Sequence, residues 1–416
     1  MGDSDGKARV RLVDGLLEEL LVDFPAVSIR GPRACGKTTT ALRFAKSVLR
    51  LDRPAENAVV MADPDAALRG LAEPILIDEW QEAPSILGAL KRAVDDDSRP
   101  GRFILTGSVR GELETDAWPG TGRLVHVTMS PLCMRERLGS LKVRPFIDRV
   151  ADSGIDELTV PTPALDLRDY VALLPIGGFP EPALKLGPRA RPRWLRSYLE
   201  QMVTRDARLV DGGRDPTRLM RYVEVLALHT AGIVDVKTLH EAAGISRVTA
   251  DAYERLASEL FLVDVVPAWF TNRTKRLIKA PKRYIIDSGL AASTAKLDER
   301  TLMRDHDQLG RLLDTFVAAE LRAELPVCES RPRLHHLRTE GGRQEVDLLI
   351  ELSGHRVIGF EVKASSAPTS LDARHLEWLR EQLGERFVHG IVFHTGPRIF
   401  SLGDRVSAVP VAAIWG

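Results

Sequence analysis

Short apolar runs alternate with helical stretches from the start of the chain to about residue 130. The runs are rich in Val, Ile and Leu, and they cover Ala26–Arg30, Ala58–Met61, Pro74–Asp78, Arg102–Thr106 and Leu124–Thr128. Continuous apolar runs separated by helices are typical of strands buried in a parallel sheet. We therefore predict an α/β fold with a parallel sheet, and a helix over residues 38–50.

The pattern changes in the middle of the chain. Residues 140–165 carry scattered Pro, Asp and Ser, which is typical of a linker or an irregular excursion. Residues 166–290 look mainly helical and end in two strand-like runs. A second α/β unit is predicted by an amphipathic helix at 308–325, strand-like runs within 334–363, a helix near 371–383 and the strand-like Phe387–His394.

One segment matches the phosphate-binding pattern GxxxxGK[ST] in full. It comprises Gly31, Pro32, Arg33, Ala34, Cys35, Gly36, Lys37 and Thr38, and Thr39 follows it. It lies between a predicted strand and a predicted helix, as the pattern requires. Its glycines let backbone N–H groups surround phosphates, and the helix N-terminus adds positive potential. We predict that this loop binds ATP, with Lys37 on the β- and γ-phosphates and the Thr38 hydroxyl on Mg²⁺.

Two other predicted strands end in polar residues that suit the same chemistry. The run at 75–78 ends in Asp78 and is followed by Glu79. In P-loop enzymes an acid at such a strand end holds Mg²⁺, so we assign Asp78 to the metal and Glu79 to the attacking water. The run at 103–105 leads into Thr106 and Ser108, and either hydroxyl is placed to contact the γ-phosphate or the water. The alternative is two ordinary buried strands with solvated tips.

Two arginines follow these elements in the sequence. Arg110 and Arg123 are candidates to neutralise the charge that develops on the transferred phosphoryl group. Such an arginine acts within its own subunit or reaches into a neighbouring one, so the sequence allows an oligomer.

Residues 217–260 predict three helices, with Gly244 in a turn and Ser246 as the N-cap of the third. Two strand-like runs follow, joined by a basic connection, which is the layout of a winged helix. If the third helix enters a DNA major groove, Ser246, Arg247 and Thr249 face the base edges.

Charge along this region favours a nucleic-acid partner. The stretch from Val265 to Ile286 contains no acid, and it holds six basic residues that we expect, with Arg247, to face DNA: Arg273, Lys275, Arg276, Lys279, Lys282 and Arg283. The alternative is a winged helix that serves only as a packing module, because Asp251 and Glu254 on the third helix repel phosphate.

The C-terminal strands carry a pattern of carboxylates. Asp347 lies in one predicted strand, and Glu361 and Lys363 share one face of the next, because alternate strand residues point the same way. An Asp…Glu-x-Lys set is the pattern of a metal-dependent nuclease, in which Asp347 and Glu361 hold Mg²⁺ and Lys363 orients water. Glu320, on the preceding helix, completes this candidate set. The alternatives are an inactive nuclease-like fold or an ion pair between Lys363 and an acid.

Composition narrows the class of protein. The 58 Lys and Arg residues balance 58 Asp and Glu residues, which excludes a protein that coats nucleic acid by bulk charge. Three widely separated cysteines fit a reducing compartment. The polar N-terminus has no apolar signal region, and no apolar run is long enough to cross a membrane. We therefore expect a soluble, cytoplasmic protein.

The chain resembles a bacterial and archaeal family of AAA-type ATPases that carry a C-terminal domain of unknown function. The resemblance rests on GPRACGKTTT (31–40), ILIDEWQEAP (75–84), GRFILTGS (101–108), GGFPEPAL (177–184), YLEQMVTRDA (198–207), PKRYIIDSGL (281–290), EVDLLIE and FEVKASS. It implies an AAA-type ATPase domain, a winged-helix middle and a C-terminal domain similar to PD-(D/E)xK nucleases. The family's loop commonly has Gln-Val where this chain has Ala34-Cys35, and Gly36, Lys37 and Thr38 are intact.

These patterns predict four parts: a P-loop ATPase domain (1–140), a linker and helical segment (141–215), a winged-helix domain (216–300) and a nuclease-like domain (301–416). The predicted function is a Mg²⁺-dependent ATPase that binds DNA and couples its nucleotide state to the other domains. One alternative is an ATP-gated, metal-dependent DNA nuclease. Another is a nucleotide-switched protein-interaction module with an inactive nuclease fold.

Overall fold

The structure is a computed structural model that describes residues 9–108, 122–206, 215–270 and 280–416. The chain divides into two compact units. The first comprises the residues up to Pro131 together with 259–261, and the second comprises 132–258 and 262–416. In the described part of the chain, no helix has the length and apolarity that crossing a bilayer requires.

The first unit is built on a five-stranded parallel sheet. Its elements are α1 (Val13–Asp23), β1 (Ala26–Arg30), α2 (Lys37–Ala41), β2 (Ser47–Arg50), α3 (Pro54–Ala62), α4 (Pro64–Leu68), β3 (Ile75–Asp78), α5 (Ile86–Asp96), β4 (Phe103–Gly107) and β5 (Leu124–Thr128). The strand order is β2-β3-β4-β1-β5, and all four pairs are parallel. Strands β1, β3 and β4 are almost wholly buried, which explains their continuous apolar sequence.

Two predicted elements of this unit are wrong. The run Ala58–Met61 belongs to helix α3, which opens with Pro54 at its first turn and buries Val60 but exposes Val59 and Met61. The helix predicted over 38–50 ends at Ala41, and its last four residues form strand β2 instead. Short apolar runs do not distinguish a strand from one buried helix face, and this ambiguity explains both errors.

The second unit begins with helices. They are α6 (Met134–Leu138), α7 (Phe146–Ser153), α8 (Leu167–Leu173), α9 (Pro180–Leu184), α10 (Arg191–Gln201), α11 (Pro216–Leu228), α12 (Val236–Ala243) and α13 (Arg247–Glu259). The antiparallel pair β6 (Val263–Val266) and β7 (Lys282–Ile285) follows. The Asp287 carboxylate accepts bonds from the amides of Gly178, at 2.6 Å, and Leu290, at 2.8 Å. A Cβ atom at Gly177 would overlap this carboxylate, and one at Gly178 would overlap the carbonyl oxygen of Leu132, which accounts for the paired glycines of the GGFPEP segment.

The unit ends in a six-stranded sheet. Its elements are α14 (Ser288–Thr294), α15 (Glu299–Leu302), α16 (His306–Glu324), β8 (Arg333–Arg338), β9 (Glu345–Glu351), β10 (Val357–Val362), α17 (Ser370–Leu383), β11 (Phe387–His394), β12 (Phe400–Gly403) and β13 (Val406–Pro410). The strand order is β12-β13-β11-β10-β9-β8. Only the pairs that β11 makes with β10 and β13 are parallel. The predicted fold class is confirmed: a parallel α/β sheet, a helical middle and a C-terminal sheet domain.

A buried ion pair joins two helices of the second unit. Arg135 of α6 and Glu324 of α16 are 2% and 0% exposed, and their side chains form a salt bridge. The other carboxylate oxygen of Glu324 accepts a bond from the Phe146 amide at 2.7 Å. Removing one partner of such a pair leaves an uncompensated charge away from water.

We therefore expect Arg135→Met to lower the free energy of unfolding by about 3–5 kcal/mol, because the Glu324 carboxylate loses its counter-charge inside the fold. Urea denaturation followed by circular dichroism measures this decrease. Arg144→Ala is the matched control, since it breaks an exposed ion pair with Asp152 and should leave the transition unchanged. Equal midpoints for the two variants would contradict the expectation.

Candidate nucleotide site and C-terminal carboxylate cluster

The phosphate-loop backbone passes close to the end of β5. A Cβ atom at Gly31 would overlap the carbonyl oxygen of Met129, and Gly36 has a φ of 103°. Both positions therefore require glycine. Arg11, only 5% exposed, donates from Nη1 to the Cys35 carbonyl and from Nη2 to the Ser130 carbonyl, each at 2.7 Å. Sequence reasoning missed Arg11, because a single arginine before the first helix carries no motif.

Lys37 lies inside this loop. Its Nζ donates to the carbonyl oxygens of Gly31 at 3.0 Å and Pro32 at 2.8 Å, and to Ser108 Oγ at 3.2 Å. The side chain is 4% exposed. Neutral oxygen atoms thus orient the Lys37 ammonium group inside the loop. A phosphate chain would lie at the same place, along the backbone amides.

Oxygen atoms suited to Mg²⁺ meet beside Lys37. Thr38 Oγ1 donates to Asp78 Oδ1 at 2.7 Å, and Thr106 Oγ1 donates to the same carboxylate oxygen. Asp78 is 4% exposed. Hydroxyl and carboxylate oxygens are the ligands that Mg²⁺ prefers beside phosphates. The residues present therefore fit a Mg²⁺ ion held by Thr38 and Asp78.

Glu79 is held next to this pair in a left-handed backbone conformation, with a φ of 53°. Its amide donates to Thr106 Oγ1 at 3.3 Å. Its carboxylate accepts bonds from Ser108 Oγ, at 3.1 and 3.2 Å, and from Gln81 Nε2. A non-glycine residue in this conformation costs about 1–3 kcal/mol and persists only where its surroundings impose it. Thr106 and Ser108 thus have separate contacts: Thr106 with Asp78, and Ser108 with Lys37 and Glu79.

The remaining residues predicted for this site are less engaged. Cys35 is fully buried, Ala34 and Thr39 are exposed, and Arg33 lies 3.7 Å from Glu82. These loop assignments stay predictions.

The structure corrects the role predicted for Arg123 within its own subunit. Arg123 directly precedes β5, and the first residue of β5 pairs with the first residue of β1. The phosphate loop follows the last residue of β1, at the other end of that strand. The arginine therefore lies at the opposite sheet edge, about 15 Å away along the strand, where it pairs with Asp95. Arg110 lies outside the described residues.

The C-terminal strands bring three of the four predicted nuclease-like residues together. Asp347 of β9 accepts a bond at 3.0 Å from the Val362 amide, and Lys363 Nζ donates to Glu361 Oε2 at 2.8 Å. Two residues that sequence reasoning did not assign to this cluster join them. Asp314 of α16 and Asp347 both bind the ammonium of Lys282, with Nζ–O distances of 2.6 and 3.1 Å.

Burial and mutual charge shift the pKa values of this cluster. Burial raises the pKa of Asp314 to about 6, although Lys282 opposes the shift. Burial and the neighbouring Asp347 charge raise the pKa of Glu361 well above its usual range. Burial also acts to raise the pKa of Asp347, but Lys282 and Lys363 together hold it below its usual value.

Glu320 does not join the cluster, which corrects the predicted set. Its carboxylate accepts a bond at 2.8 Å from the Met134 amide, on another part of the unit. Asp314, six residues earlier on α16, takes the place beside Asp347. An amphipathic helix offers several acids, and sequence alone does not show which faces a given strand.

Lys282 and Arg283 were predicted to face DNA, and for these two residues the prediction is wrong. They are 1% and 4% exposed and form ion pairs inside the unit, Lys282 with Asp314 and Asp347, and Arg283 with Glu254. Strand β7 is buried on both faces, whereas charge counting treated the whole basic segment as solvent-facing. The other basic residues of that segment, Arg273, Lys275, Arg276 and Lys279, lie outside the described residues.

The residues of the cluster do not fit a divalent ion. Within the described ranges, no group of three or more His, Cys, Asp or Glu side chains is arranged to hold a metal. The space between the carboxylates of Asp314 and Asp347 contains the Lys282 ammonium group.

Comparison with known proteins agrees with the geometry of the first unit. The family model "AAA domain" matches residues 23–138. Two models that are each described as a domain of unknown function, DUF8612 and DUF4143, match residues 167–301 and 309–414. The phosphate loop, the parallel sheet and this match identify residues 23–138 as a P-loop ATPase domain of the AAA class.

Two relatives match almost the whole chain. They are the uncharacterized proteins Rv2008c of Mycobacterium tuberculosis and Mb2031c of Mycobacterium bovis, each 30% identical over 395 residues, or 94% of this chain and 81% of the relative. The chain belongs to the family that these proteins represent. Its structure also resembles the Walker-type ATPase PABY2304 of Pyrococcus abyssi at 15% identity, with a TM-score of 0.40, over 71% of this chain and 96% of that one.

Glu320 generates a prediction about pH. Burial raises its pKa to about 8, whereas the pKa of an unfolded Glu is about 4.3. As pH rises between these values, the unfolded chain releases a proton that the folded chain retains, so the free energy of unfolding falls. Glu320→Gln keeps the acceptor for the Met134 amide but does not titrate. We expect the variant to gain stability relative to the wild type from pH 5 to pH 8, by at most about 1.4 kcal/mol per pH unit.

Urea denaturation at several pH values measures this difference. Glu385→Gln, at an exposed position, is the matched control and should follow the wild-type profile. A constant offset between Glu320→Gln and the wild type across the range would contradict the expectation.

Proposed function

We propose that the protein hydrolyses ATP with Mg²⁺, binds DNA through its second unit, and couples its nucleotide state to that unit. The observation that supports hydrolysis most directly is the set of contacts among Lys37, Thr38, Asp78, Glu79 and Ser108. These residues come from three chain segments and supply, within hydrogen-bonding distance, an ammonium group, a pair of metal-binding oxygens and a carboxylate.

Each group has a distinct task in the proposed reaction. Lys37 binds the β- and γ-phosphate oxygens, and Thr38 and Asp78 hold the metal. When bound, Mg²⁺ would supply positive charge beside the phosphates. Glu79 accepts a proton from the attacking water, and Ser108 and Gln81 orient its carboxylate. Thr106 keeps Asp78 in place through its hydroxyl group.

We expect Glu79→Gln to lower kcat for ATP hydrolysis by about 100-fold or more, because the amide cannot take the proton from water. ATP binding should persist, since the proposal assigns Glu79 to the attacking water and not to the phosphates. Lys37→Ala should lose binding and hydrolysis together. Phosphate release and fluorescent-nucleotide titration separate the two effects.

Lys46→Ala is the control, because Lys46 is exposed and follows α2 without contacting the loop groups named above. A Lys37→Ala protein that hydrolyses ATP at the wild-type rate would sink the proposal.

Two exposed surfaces of the second unit support DNA binding. Lys185, Arg189, Arg193 and Arg196, which we call the α10 basic surface, are all exposed. At the start of α13, Ser246 Oγ accepts a bond from the Thr249 amide at 3.2 Å, and Ser246 and Arg247 are exposed. A capped helix with a basic exposed first turn suits a phosphate backbone or base edges. With Lys282 and Arg283 buried, this proposal rests on these surfaces and on the four wing residues beyond the described ranges.

We expect Arg193→Ala with Arg196→Ala to weaken DNA binding and to reduce the slope of log K against log salt by about one for each phosphate that is no longer neutralised. Fluorescence anisotropy with duplex DNA at several salt concentrations measures both quantities. Arg69→Ala, an exposed arginine of the first unit, is the matched control. Affinity without any salt slope would favour a protein-interaction module instead.

Of the two alternatives, the structure favours the interaction module over the nuclease. The Lys282 ammonium binds Asp347, one of the two acids predicted to hold the metal, together with Asp314, and this arrangement competes with metal binding. We also propose the four-part domain division and a cytoplasmic location. The three cysteines, all buried and free, support a reducing compartment.

A further inference from the structure

Strand β7 presents alternate residues to opposite sides. Lys282 and Tyr284 lie on one side, where Tyr284 donates to Asp314 Oδ1 at 3.0 Å. Lys282 Nζ donates to Asp314 Oδ2 at 2.6 Å, to Asp347 Oδ1 at 3.1 Å and to the Asp347 carbonyl oxygen at 3.1 Å. An ammonium group has three N–H donors. All three are therefore used by oxygens of α16 and β9.

Asp347 is also one of the two carboxylates, with Glu361, that the sequence pattern assigns to a metal. A divalent ion needs oxygen ligands at about 2.0–2.6 Å, and such an ion beside Asp314 and Asp347 would lie against the ammonium. Two cations at this separation repel strongly where the surroundings are buried. Lys363 adds a second positive charge and is already paired with Glu361 at 2.8 Å.

We propose that Lys282 is the resident cation of this cluster: its ammonium group takes the place of the divalent ion, and Asp314 and Asp347 serve to anchor β7. In this proposal, the residues of the Asp…Glu-x-Lys pattern stabilise the fold. This inference concerns the second unit alone and does not depend on ATP hydrolysis or DNA binding.

On the other side of β7, Arg283 connects the strand to α13. Arg283 donates from Nε and Nη2 to the two carboxylate oxygens of Glu254, at 2.5 and 3.3 Å, and from Nη1 to the Val234 carbonyl at 3.1 Å. Glu254 lies on α13, whose first turn carries the exposed Ser246 and Arg247. Adjacent residues of one short strand thus connect α13 to the carboxylate cluster, so the cluster fixes the position of the helix proposed to face DNA.

Part of the otherwise buried cluster lines a cavity, through which a metal ion could reach it. A cavity of about 390 Å³ is lined by Asp314, Asp347 and Lys363 together with Gly232, Arg311 and Arg338. Failure to bind a metal would therefore reflect the occupied position between the acids and not a lack of access.

The test uses full-length protein, without nucleotide, in an Asp78→Asn background that removes the metal ligand of the first unit. Mn²⁺ binding is followed by electron paramagnetic resonance, and Tm is measured with and without Mn²⁺. With Lys282 intact, or replaced by Arg, we expect no bound Mn²⁺ at about 1 mM and no shift in Tm. Lys282→Met removes the cation and keeps the bulk. It should lower Tm, bind one Mn²⁺ per chain and recover part of the decrease in Tm when Mn²⁺ is added.

Adding Asp347→Asn to Lys282→Met should abolish that Mn²⁺ signal. The proposal is overturned if the Lys282-intact protein binds one Mn²⁺ that Asp347→Asn removes, or if folded Lys282→Met binds none. If Lys282→Met does not fold, the Lys282-intact protein decides alone: absence of an Asp347-dependent Mn²⁺ signal supports the proposal, and its presence refutes it.

Discussion

Parallel pairing of β4 with both β1 and β3 is the constraint on which the nucleotide site depends. The register sets Ile29 beside Thr106 and Ile77 beside Leu105, so the three strands end at one edge of the sheet. Lys37 and Ser108 are 71 residues apart in sequence, yet they meet there. The apolar strand interiors keep the strands in step, because any slip would displace closely packed Val, Ile and Leu side chains. The polar contacts at the strand ends are a consequence of that packing.

The second unit depends on paired charges more than the first does. Arg135 with Glu324, and Lys282 with Asp314 and Asp347, are removed from water and retain their charges only through one another. Both groups involve α16, a helix whose buried acids face different elements. A helix that carries acids on several faces can bind cations from several neighbours, which explains why it lies at the centre of this unit's polar contacts.

The features that could be predicted from the sequence are those whose residues lie close together along the chain. The phosphate loop and the Asp78-Glu79 strand end could be found because their chemistry is written in adjacent residues. The C-terminal strands could be found because alternation and apolar runs are local too. Arg11, Asp314 and the role of Lys282 could not, since each acts through contacts with distant parts of the chain. Local charge was the weakest guide, because it does not reveal which side of a strand meets solvent.

The alternation of charges on β7 also bears on how this short strand finds its alignment. In most strands a shift by one residue is opposed because apolar side chains would move to the wrong face. In β7 the same shift would turn Lys282 toward Glu254 and Arg283 toward Asp314, exchanging a compact ammonium group for a broad, planar guanidinium group. The bidentate pairing with Glu254 and the three-oxygen pairing with Asp314 and Asp347 would both break. Two cations of different shape, placed side by side, thus encode the register of the strand.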